Sequence, residues 1–104
     1  MIACKSLAQR AYTMFRFEWD NQKAASNLQK HGVSFDEAVS VFADEMALTF
    51  ADIDHSFSED RCRTYGFSNQ GRLLVVIHTD RRDNIRIISA RKATRNEKNI
   101  YTQG

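Results

Sequence analysis

Between Arg61 and Arg91 three segments of period two follow one another, and the links between them are too short to hold a crossover. RCRTYGFS (61–68) is followed by the turn signal NQG, RLLVVIHT (72–79) by DRRDN, and IRIISAR (85–91) closes the series. Parallel neighbours need a connection of about a dozen residues or more, whereas tight turns join antiparallel ones. The spacing therefore predicts an antiparallel meander. RLLVVIHT is apolar on both faces, as a central strand should be. MALTFAD (46–52), joined through the polar loop DIDHSFSED (52–60), brings the meander to four strands.

Upstream, FRFEWD alternates, with Phe15, Phe17 and Trp19 on one side and Arg16 and Glu18 on the other, so it predicts a short N-terminal strand. Asp20 suits an N-cap for a helix over 21–31 with a stripe of Ala24, Ala25 and Leu28, and Gly32 suits its left-handed end. Ser34 with Glu37 reads as a capping box for a second helix, which buries Phe35, Ala38, Val39 and Phe42 and ends near Asp44. Thr94 with Glu97 repeats the box and opens a short helix through Tyr101. The order β-α-α-β-β-β-β-α predicts an α+β domain: a four-stranded antiparallel sheet plus the short N-terminal strand, two helices on one face, and a short C-terminal helix. Residues 15–104 form that single domain. Residues 1–14 show no period and are expected to be a poorly ordered extension, with Met14 as an alternative start.

The chain of 104 residues is 42% hydrophobic and 27% charged, which is too apolar for intrinsic disorder. No apolar run approaches the roughly 20 residues of a membrane helix. Cys4 and Cys62 lie far apart, with no zinc spacing and no disulfide framework, so a reduced, cytoplasmic protein is expected. The net charge of +2 conceals an asymmetry: five basic and ten acidic residues over 1–60 give −5, and ten basic and three acidic over 61–104 give +7. Eight of those ten cations are Arg, whose planar fork matches phosphate and carboxylate alike. A polyanion, an acidic partner, or a solvated sheet face balanced by the acidic half all fit this block.

Hard cations could use Asp52, Asp54, His55, Glu59 and Asp60, but their spacing is not that of a calcium loop, and no metal is expected. No phosphate-cradling glycine motif is present. Metal-free RNA cleavage needs a base for the 2′-OH, an acid for the leaving oxygen and cations on the pentavalent phosphate. His31 and His78 are the candidate acid–base residues, each with a structural alternative: a charge on a helix C-terminus for His31, a satisfied strand end for His78. Arg61 and Arg63 share a face by period two. Arg86 and Arg91, five apart, fall on opposite faces of an unbroken strand and can share a site only if a bulge intervenes. Arg95 and Lys98 share a face of the last helix.

From FEWDNQKAASNLQKHGVSFDEAVSVFAD through GRLLVVIHT to RIISARKATRNEKNIY, about residues 15–101, the chain resembles the BrnT toxin family of type II toxin–antitoxin modules. The resemblance rests on the W-D opening, the K-H-G-V-S-F-x-E-A junction, the G-R-L-L-V-V strand and the R-I-I-S-A-R-x-A-T-x-x-E end. It implies a RelE-like fold and a translation-blocking endoribonuclease without cofactor. It also implies neutralisation by a BrnA-like ribbon-helix-helix antitoxin, with operator DNA reached only through that partner. The family pattern marks Lys30, His31, Gly32, Arg86, Ser89, Arg91, Ala93, Glu97 and Tyr101. On this reading Arg63 and Arg91 clamp the transition state, His78 or His31 is the acid or base, and Lys30 helps electrostatically. Arg61 and Arg86 then bind RNA, and Arg95, Lys98 and Tyr101 meet the antitoxin. The alternative reading is a non-catalytic interaction protein or corepressor that acts only through its antitoxin.

Overall fold

The computed structural model describes residues 16–52, 61–81 and 83–103. The proposed extension, the cation loop apart from Asp52, and Arg82 lie outside them. In chain order the elements are β1 (Arg16–Glu18), α1 (Asn21–His31), α2 (Phe35–Ser40), β2 (Leu48–Ala51), β3 (Arg61–Phe67), β4 (Leu73–Arg81), β5 (Asn84–Lys92) and α3 (Arg95–Gln103), with a 3-10 turn at Val41–Ala43 after α2. The α+β class and the element order match the sequence reading. The sheet does not: it is five-stranded and mixed, in the order β1-β5-β4-β3-β2, with β1 running parallel to β5. The helical crossover explains this. From β1 at one edge, the chain passes along α1 and α2 over one face and re-enters as β2 at the other edge, and the meander then fills the interior.

Local signals set the helix limits. The Asp20 carboxylate accepts from the amides of Gln22 and Lys23 at 2.8 and 3.2 Å, and Gly32, at φ 70°, ends α1 as its N–H donates to the Leu28 carbonyl. Ser34 Oγ accepts from the Glu37 amide at 3.0 Å, but Glu37 does not complete a reciprocal box. Its carboxylate turns inward to Arg72, which also donates to the Gly32 carbonyl, and to Ser68. The Arg72 hydrogen bonds hold the Glu37 carboxyl below its ordinary range.

The core lies between the sheet and α1/α2, and includes Val33, Phe35, Ala38, Val41 and Phe42 against Leu74, Val76, Ile85, Ile87 and Ala90. The stripe expected on α1 is corrected: Leu28 is 52% exposed, and the buried residue of that helix is Asn27. Beyond the end of β1, the edge of β5 would leave its amides and carbonyls unpaired. The Asn27 side chain fills that gap. It donates to the Ala90 carbonyl at 2.8 Å, accepts from the Ala90 amide at 3.1 Å, and donates to the Val33 carbonyl at 2.9 Å.

Gly66 on β3 marks a close approach. A Cβ there would lie 2.8 Å from Val41 Cγ1 and 3.2 Å from the Ala47 Cβ. The register of β4 and β5 slips once: Ile77 pairs with Ser89, and His78 pairs with Ile87, so Ile88 is an extra, bulged residue. Cys62 is buried and disulfide-bonded, where the sequence reading expects a reduced thiol.

Candidate active site

The sheet face opposite α1 and α2 carries four strand arginines, Arg61, Arg63, Arg86 and Arg91. Period two places Arg61, Arg63, Tyr65 and Phe67 of β3 on it. The register aligns Arg63 with Ile77 and Ser89, and Tyr65 with Val75 and Arg91. The Ile88 bulge resolves the parity problem between Arg86 and Arg91. With one residue inserted, Arg86, aligned with Thr79, falls on the same face as Arg91.

Arg61, Arg63 and Arg91 line one cavity of about 280 Å³ together with Asp52, Ile77, Ile88 and Ser89. Asp52, buried at the end of β2, places Oδ1 3.6 Å from Arg63 Nε, an ion pair too long to be a hydrogen bond. Arg91 is held by a carboxylate from α3. Its two terminal nitrogens donate to the two Glu97 oxygens at 2.7 and 2.8 Å, a bidentate pair. Glu97 also completes the box expected at α3: Oε1 accepts from the Thr94 amide at 2.8 Å, and the Glu97 amide donates to Thr94 Oγ1 at 3.2 Å. Hydrogen bonding from Arg91, with smaller help from Thr94, pulls the Glu97 carboxyl down to about 2, and the pair raises the Arg91 guanidinium in turn. Burial raises the Tyr65 phenol, so the ring between these arginines stays neutral.

The remaining expectations separate. His78 is 0% exposed and lies on the opposite face, its ring edge-on to Phe42 at 5.0 Å. Its Nε2 is 2.7 Å from Thr64 Oγ1 and its Nδ1 is 3.0 Å from Asp80 Oδ1, and Thr64 continues the chain to Thr49 at 2.8 Å. His31 and Lys30 are exposed at the C-terminal end of α1, on that same far side. None of the three is brought to the arginine cavity. Strand parity is the reason for His78, since its neighbour Ile77 takes the cavity-facing position. Arg86 shares the arginine face but sits towards its other end, 4.0 Å from Glu18.

Cys62, His78 and Asp80 bring one potential metal-ligand atom each within 4.8 Å of one another. The sulfur is committed to its disulfide, and both imidazole nitrogens have partners. The sequence reading leaves two residues of the cavity region without a role there: Asp52, which it places in a cation loop, and Glu97, which it explains by capping alone. The capping signal hides the second role, because one carboxylate serves both amide and guanidinium.

On α3, Lys98 and Tyr101 line a second groove, of about 460 Å³, with Phe67, Leu73, Lys92 and Ala93 at the end of the sheet; Arg95 is exposed outside its lining. Tyr101 packs edge-on against Phe67 at 5.4 Å and donates its hydroxyl to Asp44 at 2.7 Å; burial and that carboxylate push the phenol up to about 12.

Fold and site together define a small α+β protein with two helices on one face of a mixed sheet and an arginine-lined cavity on the other. The family model described as the ribonuclease toxin, BrnT, of type II toxin-antitoxin systems matches residues 19–97, and the chain belongs to that family of ribonuclease toxins. The matched span takes in the three arginines and ends at Glu97. Among solved structures, the crystal structure of the Brucella abortus ribonuclease toxin, BrnT, superposes with a TM-score of 0.56 at 23% identity, covering 78% of this chain and 99% of that one, so the two share a fold. No curated relative matches the chain.

Proposed function

We propose that the chain is a metal-independent endoribonuclease of RelE-like type that cleaves RNA at the arginine cavity. The convergence of Arg61, Arg63 and Arg91 on one concave surface carries this reading. The 2′-oxygen attacks the adjacent phosphorus, the bond to the 5′-oxygen breaks, and the products are a 2′,3′-cyclic phosphate and a 5′-hydroxyl. The pentavalent phosphate gathers negative charge that preorganised guanidinium groups stabilise. Arg63 and Arg91 serve as that clamp, with Arg61 and, further along the face, Arg86 on flanking phosphates. Asp52, the one carboxylate lining the cavity among the described residues, accepts the 2′-OH proton. Solvent water protonates the leaving oxygen. One carboxylate amid three cations suits a phosphate better than a divalent metal, which favours several oxygen ligands.

Cleavage of cytoplasmic RNA would inhibit translation, and nothing in the chemistry requires the Cys62 disulfide. A DNA-binding antitoxin of BrnA-like, ribbon-helix-helix type would neutralise the toxin through α3, where Arg95, Lys98 and Tyr101 stand, and would carry it to operator DNA.

The test is single-turnover cleavage of an end-labelled RNA by the purified chain in EDTA. Activity persists in the chelator, and Arg63→Ala, Arg91→Ala and Asp52→Asn each lower the rate by about 100-fold or more. Cleavage within about threefold of wild type in both arginine variants would refute the site, and loss of activity in EDTA would refute the metal-free mechanism.

A further inference from the structure

We propose that the groove between α3 and the ends of β3, β4 and β5 docks an acidic, amphipathic segment of a partner protein. The proposal rests on the antitoxin reading above and specifies the chemistry of that contact.

The groove is built for an apolar insertion. Phe67, Leu73, Ala93 and the ring of Tyr101 form its floor. Phe67 is 45% exposed there, and Met46, whose amide shares the Asp44 carboxylate with that of Phe67, is 68% exposed. An apolar groove with an exposed aromatic ring marks an interaction site. A single carboxylate holds the patch in shape: Asp44 accepts from the amides of Met46 and Phe67 at 2.9 and 2.8 Å and from the Tyr101 hydroxyl. Because that hydroxyl is spent on Asp44, Tyr101 offers the groove carbon.

Charge selects the occupant. Arg72 also lines the groove, but its guanidinium is committed to Glu37 and the Gly32 carbonyl. The rim charges left are Lys92 and Lys98, both exposed and neither in an ion pair among the described residues. They favour carboxylates flanking an apolar anchor. RNA fits less well, because its phosphates would approach Asp44 and Glu37, and the floor offers little to hydrogen-bond them. The chain's own residues 1–14 fit less well still, since Lys5 and Arg10 are their only charged side chains. The location gives docking a consequence: Lys98 and Tyr101 lie on the helix whose first turn supplies Glu97 to Arg91. A segment seated there stands beside the cavity and bears on the helix that positions its clamp.

The experiment titrates the purified product of the adjacent antitoxin reading frame into the full chain by calorimetry. Wild type is compared with Phe67→Ser, Lys92→Glu/Lys98→Glu, and the remote charge reversal Lys23→Glu. The first two are expected to weaken binding by at least about tenfold, with added salt weakening the wild type as well, while Lys23→Glu stays within about twofold. All three should remain folded by circular dichroism and keep the wild-type RNA cleavage rate. Equal binding by wild type and the two groove variants would overturn the groove while leaving the antitoxin reading intact. A product that does not bind wild type at all would remove both. Two further outcomes also count against the proposal: groove variants that bind normally but lose cleavage would assign the surface to RNA, and a wild-type dimer in sedimentation that these variants dissociate would assign it to a second copy.

Discussion

Replacing Glu97 with glutamine tests how firmly the clamp arginine is held. The carboxyl falls from an ordinary 4.5 to about 2 in the fold, a difference worth about 3 kcal/mol at neutral pH. The Arg91 side chain is 36% exposed, so solvent screening cuts this to about 2 kcal/mol. The substituted amide keeps an oxygen for the Thr94 N–H, so most of the loss reports the guanidinium contact. The sign follows from the depressed value. Stability from an ionised Glu97 is present above about 4.5 and disappears as the pH falls towards about 2. Urea unfolding of wild type and Glu97→Gln, followed by circular dichroism from pH 7 to pH 3, should show a gap of about 2 kcal/mol at neutrality that shrinks to less than half at the acid end. Glu37 and Asp44 are also held low, by Arg72 for the first and by backbone and Tyr101 hydrogen bonds against burial for the second. Both proteins share those titrations, so the difference isolates Glu97. A gap that stays constant with pH, or no gap at pH 7, would refute the reasoning. RNA cleavage by the variant should fall as well, because an unclamped Arg91 samples more rotamers.

Two further predictions concern the scaffold. Asn27→Ala strands both backbone groups of Ala90 at the uncovered edge of β5 and should cost about 2–3 kcal/mol, read as a lowered unfolding temperature; a shift near zero would mean that water replaces the amide. Gly66→Ala forces a methyl against Val41 and should cost about 1–3 kcal/mol in urea unfolding, with relief when Val41 is also shortened to Ala.

What the sequence discloses follows from which interactions are local. The limits of α1, the N-cap residues Asp20, Ser34 and Thr94, and the meander can be read because a cap or a tight turn is settled within a few residues. The parallel pairing of β1 with β5 cannot, since it joins residues 16–18 to 84–86 and leaves no local trace. Asn27 escapes for a related reason. Its value depends on β5 having an uncovered edge, which exists only once the sheet order is known. The same helical count misplaces Leu28, because one polar residue takes the buried position that a hydrophobic stripe would have filled. For the site, Arg61, Arg63 and Arg91 are within reach of period and composition. The exclusion of His78 is not, because nothing in RLLVVIHT marks which of two alternating sets faces the helices.

Arg86 and Arg91 show how far such reasoning carries. Their five-residue separation poses a definite geometric question, with opposite faces as the answer unless a residue is inserted. Ile88 is that residue, and no composition rule announces it. An isoleucine in a hydrophobic run looks like ordinary strand. Its effect is nevertheless large, because every side chain after it changes face relative to those before. Without the insertion, a strand that buried Ile85 and Ile87 would turn Arg91 towards the α1/α2 core and Ala90 towards the cavity. With it, Ala90 reaches Asn27, and Arg91 reaches both the cavity and Glu97. The irregularity in the ladder is therefore what lets one strand serve the core at both ends while delivering its last arginine to the opposite face.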